Sequence, residues 1–233
     1  MDRIIVALDV ASEKEALGLV KALYPSIKIF KVGNELFTAC GPSIVNKIHK
    51  TGASVFLDLK YHDIPTTVKK ASEAAAKLGV FIFNVHISGG IDMMKAAKTA
   101  SLELAKKLGL KTPIVLGVTA LTSLNSADLN TLGIKRDMPE HVMHLAGLAK
   151  DAGLDGVISS PEEIKPLRKK FGKDFIILTP GVRPNWAEVS DHKRVKTPKE
   201  AVEDGADYLV IGRPITKAEF PLEAAKRILK EIA

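Results

Sequence analysis

The residues best placed to do chemistry lie in one stretch, Phe-Leu-Asp-Leu-Lys-Tyr-His-Asp-Ile-Pro-Thr-Thr at 56–67. It begins as a strand and ends as the start of a helix. Side chains alternate faces along a strand, so Asp58 and Lys60 share one face and Leu57 and Leu59 the other. A carboxylate and an ammonium on one face are unusual for a buried strand. Asp63 follows where the strand should end, and Pro65 sits where a first helical turn tolerates it. Three alternating charges at a strand's C-terminal mouth point to chemistry rather than packing. The structural alternative is a plain Asp58–Lys60 ion pair, with Asp63 as the N-cap of the next helix.

The rest of the chain bounds what such a site can be. Its 233 residues suit one large domain or two small ones, and come close to the ~250 usual for an eightfold β/α barrel. Hydrophobic residues make up 46%, ample for a core. Lys+Arg 34 against Asp+Glu 27 gives +7, and the pI is near 9.3. That balance fits nucleic acid, a membrane surface or small anionic substrates. The basic residues are scattered, however. The Lys-Lys pairs at 69–70, 106–107 and 169–170 read as solvated helix faces, and no RNA-binding signature is present. Cys40 is the only cysteine, which excludes an internal disulfide and fits a reducing compartment. There is no signal-peptide core and no apolar run near ~18 residues. The expectation is a cytoplasmic protein with no nucleic-acid or membrane partner.

Eight strand–helix units position the charged residues. Apolar runs at 4–9, 27–33, 56–60, 81–86, 113–118, 156–159, 175–179 and 208–212 read as strands. Helical spacing follows most of them, with capping boxes at Ser12/Glu15, Ser160/Glu163 and Thr197/Glu200. A polar loop is expected over 119–138. Glycine recurs just after the helices, as at Gly79, Gly109 and Gly153. Alternating strands and helices imply a parallel sheet covered on both faces. Eight units close most economically into a single-domain (β/α)8 TIM barrel over 1–233. The alternative is an open doubly wound sheet, but no Gly-x-Gly-x-x-Gly follows the first strand.

In such a barrel, active sites sit at the C-terminal ends of strands. Those ends carry Asp9, Lys31, Asp58, Lys60, His86, Thr119, Arg183 and Arg213. The strand beginnings are read as carrying nothing comparable, which argues against a purely structural ion pair. Strands seven and eight end in Gly181-Val182-Arg183 and Gly212-Arg213. Loops there are the usual phosphate site of the fold, and arginine grips two phosphate oxygens at once. His141 and His144 lie three apart on a helix without a third ligand nearby, so no metal site is expected. His86 could equally be a core histidine. Trp186 either packs its loop or touches a ligand. Met93 and Met94 read as helix packing.

These blocks resemble the orotidine 5′-phosphate decarboxylase family over nearly the whole chain. The most specific is the Asp-x-Lys-x-x-Asp signature at 58–63. Val6-Ala7-Leu8-Asp9, Lys31-Val32-Gly33, Leu121-Thr122-Ser123, Pro180-Gly181-Val182-Arg183 and Val210-Ile211-Gly212-Arg213 follow the family's order. The resemblance implies conversion of orotidine 5′-monophosphate to uridine 5′-monophosphate and CO2, with no metal or organic cofactor. It implies that Lys60 protonates C6 and that Asp58 lies beside the departing carboxylate. Lys31 and Asp63 complete the charge network, Asp63 reaching in from the partner of a homodimer. Asp9 and Thr67 fall at ribose-binding positions and Thr122 at a pyrimidine-binding one. Ile64 belongs to the same binding set. Arg183, Gly212 and Arg213 fall at phosphate contacts. Where the family usually has Asp-Gln, this chain reads Asp191-His192, and His192 could donate the hydrogen bond that the glutamine would.

Two other readings compete. Metal-dependent relatives such as keto-gulonate phosphate decarboxylase and hexulose phosphate synthase share Asp-x-Lys-x-x-Asp, but have a metal-binding Glu where this chain has Lys31. A noncatalytic RNA-binding barrel would want exposed aromatics among its cations, and aromatic content is only 5%.

Overall fold

Strands buried on both faces need cover on both faces. All four residues of Ile4–Ala7 and all five of Ile29–Gly33 are buried. The computed structural model describes residues 2–187 and 196–233. Strands β1 (Ile4–Ala7), β2 (Ile29–Gly33), β3 (Ser54–Tyr61) and β4 (Ile82–His86) form the first half. Strands β5 (Ile114–Val118), β6 (Gly156–Ile158), β7 (Ile176–Pro180) and β8 (Tyr208–Ile211) form the second. They pair in sequence order, all parallel, and β8 returns to β1 to close the barrel.

The outer layer begins with α1 (Glu13–Leu23), α2 (Asn34–Cys40), α3 (Ser43–His49), α4 (Pro65–Lys77) and α5 (Ile91–Leu108). It continues with α6 (Ser126–Thr131), α7 (Met138–Asp151), α8 (Ile164–Phe171), α9 (Pro198–Glu203), α10 (Arg213–Thr216) and α11 (Pro221–Glu231). The strand period of two divides the core into two shells. Ile5, Ile29, Phe56, Ile82, Leu116, Leu178 and Val210 fill the barrel interior. Val6, Phe30, Leu57 and Phe83 face outward and pack with helix residues such as Val20, Ile48 and Met94.

The barrel expected from the sequence is therefore present, with local differences. Helices α2, α6 and α10 were not predicted. Each spans seven residues or fewer, too short for apolar periodicity to register. Helix α6 interrupts the stretch read as loop. It starts on a full capping box between Asn125 and Asp128. The box at Thr197 and Glu200 forms as expected, but Ser160 does not cap. Its hydroxyl donates to the Glu163 carboxylate, and a 3₁₀ turn over Pro161–Glu163 precedes α8. Glu163 is buried, so its carboxylate needs a donor. Burial still pushes its pKa up.

The strand beginnings do carry charges, contrary to the sequence reading. Arg168 donates to the carbonyls of Gly205 and Phe175 and pairs with Asp207. Asp207 accepts from Ile177 N–H at 2.8 Å, and Asp155 from Val115 N–H at 2.7 Å. Arg3 donates to Ala206 O at 3.0 Å. These groups are consumed by backbone at the lower rim, so they close the barrel rather than face a ligand.

One glycine is required by close approach. A Cβ on Gly156 would lie 2.0 Å from the carbonyl oxygen of Ile176, its ladder partner on β7. Neither strand can yield without losing ladder bonds. Gly156→Ala should destabilise the barrel by about 3 kcal/mol, read as a lower urea midpoint at unchanged slope. An unchanged midpoint would show that this strand pair gives way freely.

Candidate active site

The inward register that is apolar through the barrel turns polar at its upper end. Continuing the period of two from Ala7, Ile29, Phe56 and Ile82 leads to Asp9, Lys31, Asp58 and Asn84. The charged side chains meet in a chain of alternating sign. Lys31 Nζ lies 2.7 Å from Asp9 Oδ1 and 3.5 Å from Asp58 Oδ2. Lys60 Nζ lies 2.7 Å from Asp58 Oδ1. Lys31 and Asp58 are each 9% exposed, while the Asp9 carboxylate opens to solvent. At an effective dielectric of ~20, opposite charges about 4 Å apart attract by about 4 kcal/mol. Each buried member is thus held by its neighbours, and loss of one would strand the next. Gly33 makes room for the network, because a Cβ there would lie 2.9 Å from Lys31 Nζ.

Lys60 reaches Asp58 by an unexpected route. Strict alternation would have kept β3 extended through Lys60. Instead Lys60 has φ +53°, in the left-handed region that side chains with a Cβ rarely adopt. The β3–β4 register shifts between Leu57 and Tyr61, so the ladder is broken there. Asn84 of β4 fills the gap. Its amide oxygen accepts from Lys60 N–H at 2.8 Å, and its amide nitrogen donates to Asp58 Oδ1 at 2.7 Å. The sequence reading passed over Asn84 as one more strand position. The available signal was an amide in the inward register of an otherwise apolar run.

The other expected site residues sit on the rim. Asp63 is exposed, and its carboxylate accepts from Ile64 N–H at 2.6 Å. Among the described residues no ion pair joins it to Lys60 of its own chain. Ile64 is 64% exposed, and Thr67 lies exposed in the first turn of α4. Thr122 lines a cavity of about 1300 Å³ together with Thr119, Ser160 and Gly181. Arg183 follows β7, and its N–H donates to Lys196 O at 3.0 Å. Gly212 and exposed Arg213 follow β8, where a Cβ on Gly212 would come within 3.9 Å of Asp9 Oδ2. The ends of β1 and β8 therefore form one corner of the mouth. His192 and its neighbours Asp191 and Arg194 lie outside the described residues. Trp186 packs beneath the Arg227 guanidinium, 4.7 Å from ring centroid to cation. Met93 and Met94 are core residues, as expected. His141 and His144 line a surface hollow with Lys135 and Arg136. Among the described residues no three His, Cys, Asp or Glu side chains gather as a metal site.

The family model described as orotidine 5′-phosphate decarboxylase / HUMPS family matches residues 2–228. The chain belongs to this family. An orotidine 5′-phosphate decarboxylase of Syntrophomonas wolfei is 48% identical, covering 99% of this chain and 98% of its own. One of Geotalea daltonii is 51% identical, covering 99% and 95%. The crystal structure of orotidine 5′-phosphate decarboxylase from Lactobacillus acidophilus superposes with a TM-score of 0.89 at 40% identity, over 100% of this chain and 99% of that one. The family and the barrel fold read from the sequence are both borne out.

One titratable group at this family site was ambiguous in the sequence. His86 ends β4, half-buried, with its ring 5.3 Å from that of His62. Burial holds its pKa below the usual histidine value of 6.5; His62 and Lys60 push the same way, and Asp58 pushes back. An NMR titration should place the His86 midpoint below 6.5. Lys60→Met should raise it by removing a cation, though not fully, because burial is the larger cause. Asp58→Asn should lower it further. A wild-type midpoint at or above 6.5 would mean that the ring is hydrated or paired.

Proposed function

We propose that the chain converts orotidine 5′-monophosphate to uridine 5′-monophosphate and CO2 in pyrimidine nucleotide synthesis, without metal or organic cofactor. In this reading residues 1–233 form one catalytic domain acting in the cytoplasm. The observation that carries it is the Asp9–Lys31–Asp58–Lys60 network at the barrel mouth. When the C6–carboxylate bond breaks, the electron pair stays on C6 with little delocalisation. A fixed ammonium beside C6 stabilises that charge as it develops. Lys60 then gives its proton to C6, is left as a neutral amine, and regains a proton from water. Asp58 lies beside the departing carboxylate and keeps Lys60 in place.

The remaining roles follow position by position. Arg183, Gly212 and Arg213 hold the 5′-phosphate, and His192 adds a donor there. Asp9 and Thr67 hold the ribose, and Thr122 the pyrimidine. Binding energy from the phosphate, remote from C6, is available for ordering the reacting end. Lys31 separates this reading from a metal-dependent one. Its ammonium occupies the space between the Asp9 and Asp58 carboxylates, where a cation would otherwise be needed. Asp63 serves the site of a partner subunit. That agrees with its exposure beside an exposed isoleucine, with no ion pair to Lys60 of its own chain among the described residues.

The direct test is loss of orotidine 5′-monophosphate absorbance with and without a chelator. Turnover should be unaffected by the chelator. Loss on chelation with recovery in Mg²⁺ would defeat the cofactor-free reading. Lys60→Ala should lower kcat by several orders of magnitude while the fold persists, and a variant keeping a tenth of the activity would remove Lys60 as the acid.

Subunit mixing tests the shared site. Lys60→Ala and Asp63→Ala homodimers each carry one defect in every site and should be nearly inactive. A mixed dimer gathers both defects in one site and leaves the other whole. Random exchange at equal amounts makes half the dimers mixed, so about a quarter of wild-type activity should return. If exchange is verified by native mass spectrometry and nothing returns, Asp63 acts within its own subunit.

A further inference from the structure

Asn84 stands out as a polar side chain that the proposed reaction does not use. It is fully buried in the inward register of β4, two residues beyond the interior Ile82. An amide there is costly unless both its ends are bonded, and both are. Their chemistry fixes which way the amide points. A backbone N–H can only donate and an ionised carboxylate can only accept, so the oxygen faces Lys60 and the nitrogen faces Asp58.

We propose that Asn84 is a positioning residue that holds Asp58 and Lys60 in register through the catalytic cycle; this rests on the decarboxylase reading above. Two geometric facts support it. Lys60 occupies a strained left-handed conformation where the ladder to β4 is broken, so its N–H lacks the ordinary strand partner. The amide oxygen of Asn84 replaces that partner and fixes the start of the Lys60 side chain. The second fact is that Asp58 Oδ1 accepts from two donors, Lys60 Nζ and Asn84 Nδ2, each at 2.7 Å. Once Lys60 has given up its proton, the charge that held this oxygen is gone. The amide remains, so the carboxylate stays in place and the reprotonated lysine returns to the same oxygen. An apolar side chain of similar size would fill the space but perform neither task.

The test compares Asn84→Ala and Asn84→Asp with the wild-type chain, each checked by circular dichroism. Asn84 does not touch substrate in this reading, so Asn84→Ala should lower kcat by tenfold or more and leave KM within about threefold. Asn84→Asp supplies a readout that a merely structural role would not move. Its new carboxyl lies against Asp58, and two like charges there favour sharing a proton. In the protonated form it donates an O–H to Asp58 and accepts from Lys60 N–H, as the amide does. When ionised it repels Asp58. Its kcat should therefore climb toward wild type from about pH 8 down to about pH 6, while Asn84→Ala keeps the wild-type profile shape.

If Asn84→Ala does not fold, Asn84→Thr replaces it. Its single oxygen cannot stand where both the amide oxygen and the amide nitrogen stood, so an intermediate kcat is expected and a wild-type kcat counts against the proposal. Folded variants with wild-type kcat and pH dependence, beside an active wild type, would overturn the role of Asn84 alone. An inactive wild type would overturn the decarboxylase reading, and this inference with it.

Discussion

The carboxylate of Asp58 is nearly buried, and a buried charge has to be met by opposite charge and hydrogen bonds. Three groups from three strands answer that demand. Lys31 comes from β2, Lys60 from further along β3, and Asn84 from β4, while Asp9 beyond β1 holds Lys31 in turn. Only a barrel whose neighbouring strands are parallel and in consistent register brings the inward residues of successive strand ends to one point. The charge network thus depends on the fold. It also constrains the fold locally, since Lys60 must leave extended geometry to reach its partner.

What was legible in the sequence follows the range of each signal. Strand and helix order could be read because apolar runs and glycine stops recur over many residues. The inward acids and lysines could be read because they break an apolar pattern at a predictable end. The kink at Lys60 could not. No glycine or proline marks it, and the side chain that accepts from its N–H, Asn84, lies 24 residues away. Asn84 itself looked unremarkable because its role lies in its partners. Arg168 was lost among the neighbouring Lys169 and Lys170, which are indeed exposed. The arginine turns instead under the barrel to Gly205, Phe175 and Asp207. Helices α2, α6 and α10 were too short for periodicity to reveal.

The two rims use the same residue types for different ends. At the lower rim Arg168, Asp155, Asp207 and Arg3 each bond to backbone groups, beside the Arg168–Asp207 and Lys98–Asp155 ion pairs. At the upper rim Lys31, Asp58 and Lys60 bond chiefly to one another. Charges matched only by other charges can be rebalanced when an anion enters, whereas charges matched by the ladder cannot. Counting charges at strand ends therefore says little. What distinguishes a site from a closure is what each charge is bonded to.

This difference also explains where the molecule accepts strain. A left-handed lysine, a nearly buried carboxylate between two ammonium groups and a fully buried amide each work against stability. All of them cluster within one strand end of Asp58. Elsewhere the barrel interior is chiefly apolar, and the lower-rim charges bond to backbone groups. Such concentration is what electrostatic preorganisation requires: dipoles and charges must be rigid before the substrate arrives, because their reorganisation during the reaction would consume the stabilisation they provide. Rigidity at Lys60 comes from outside its own strand. The surrounding shell must hold it there, and Asn84 is the part of that shell bonded to both members of the ion pair.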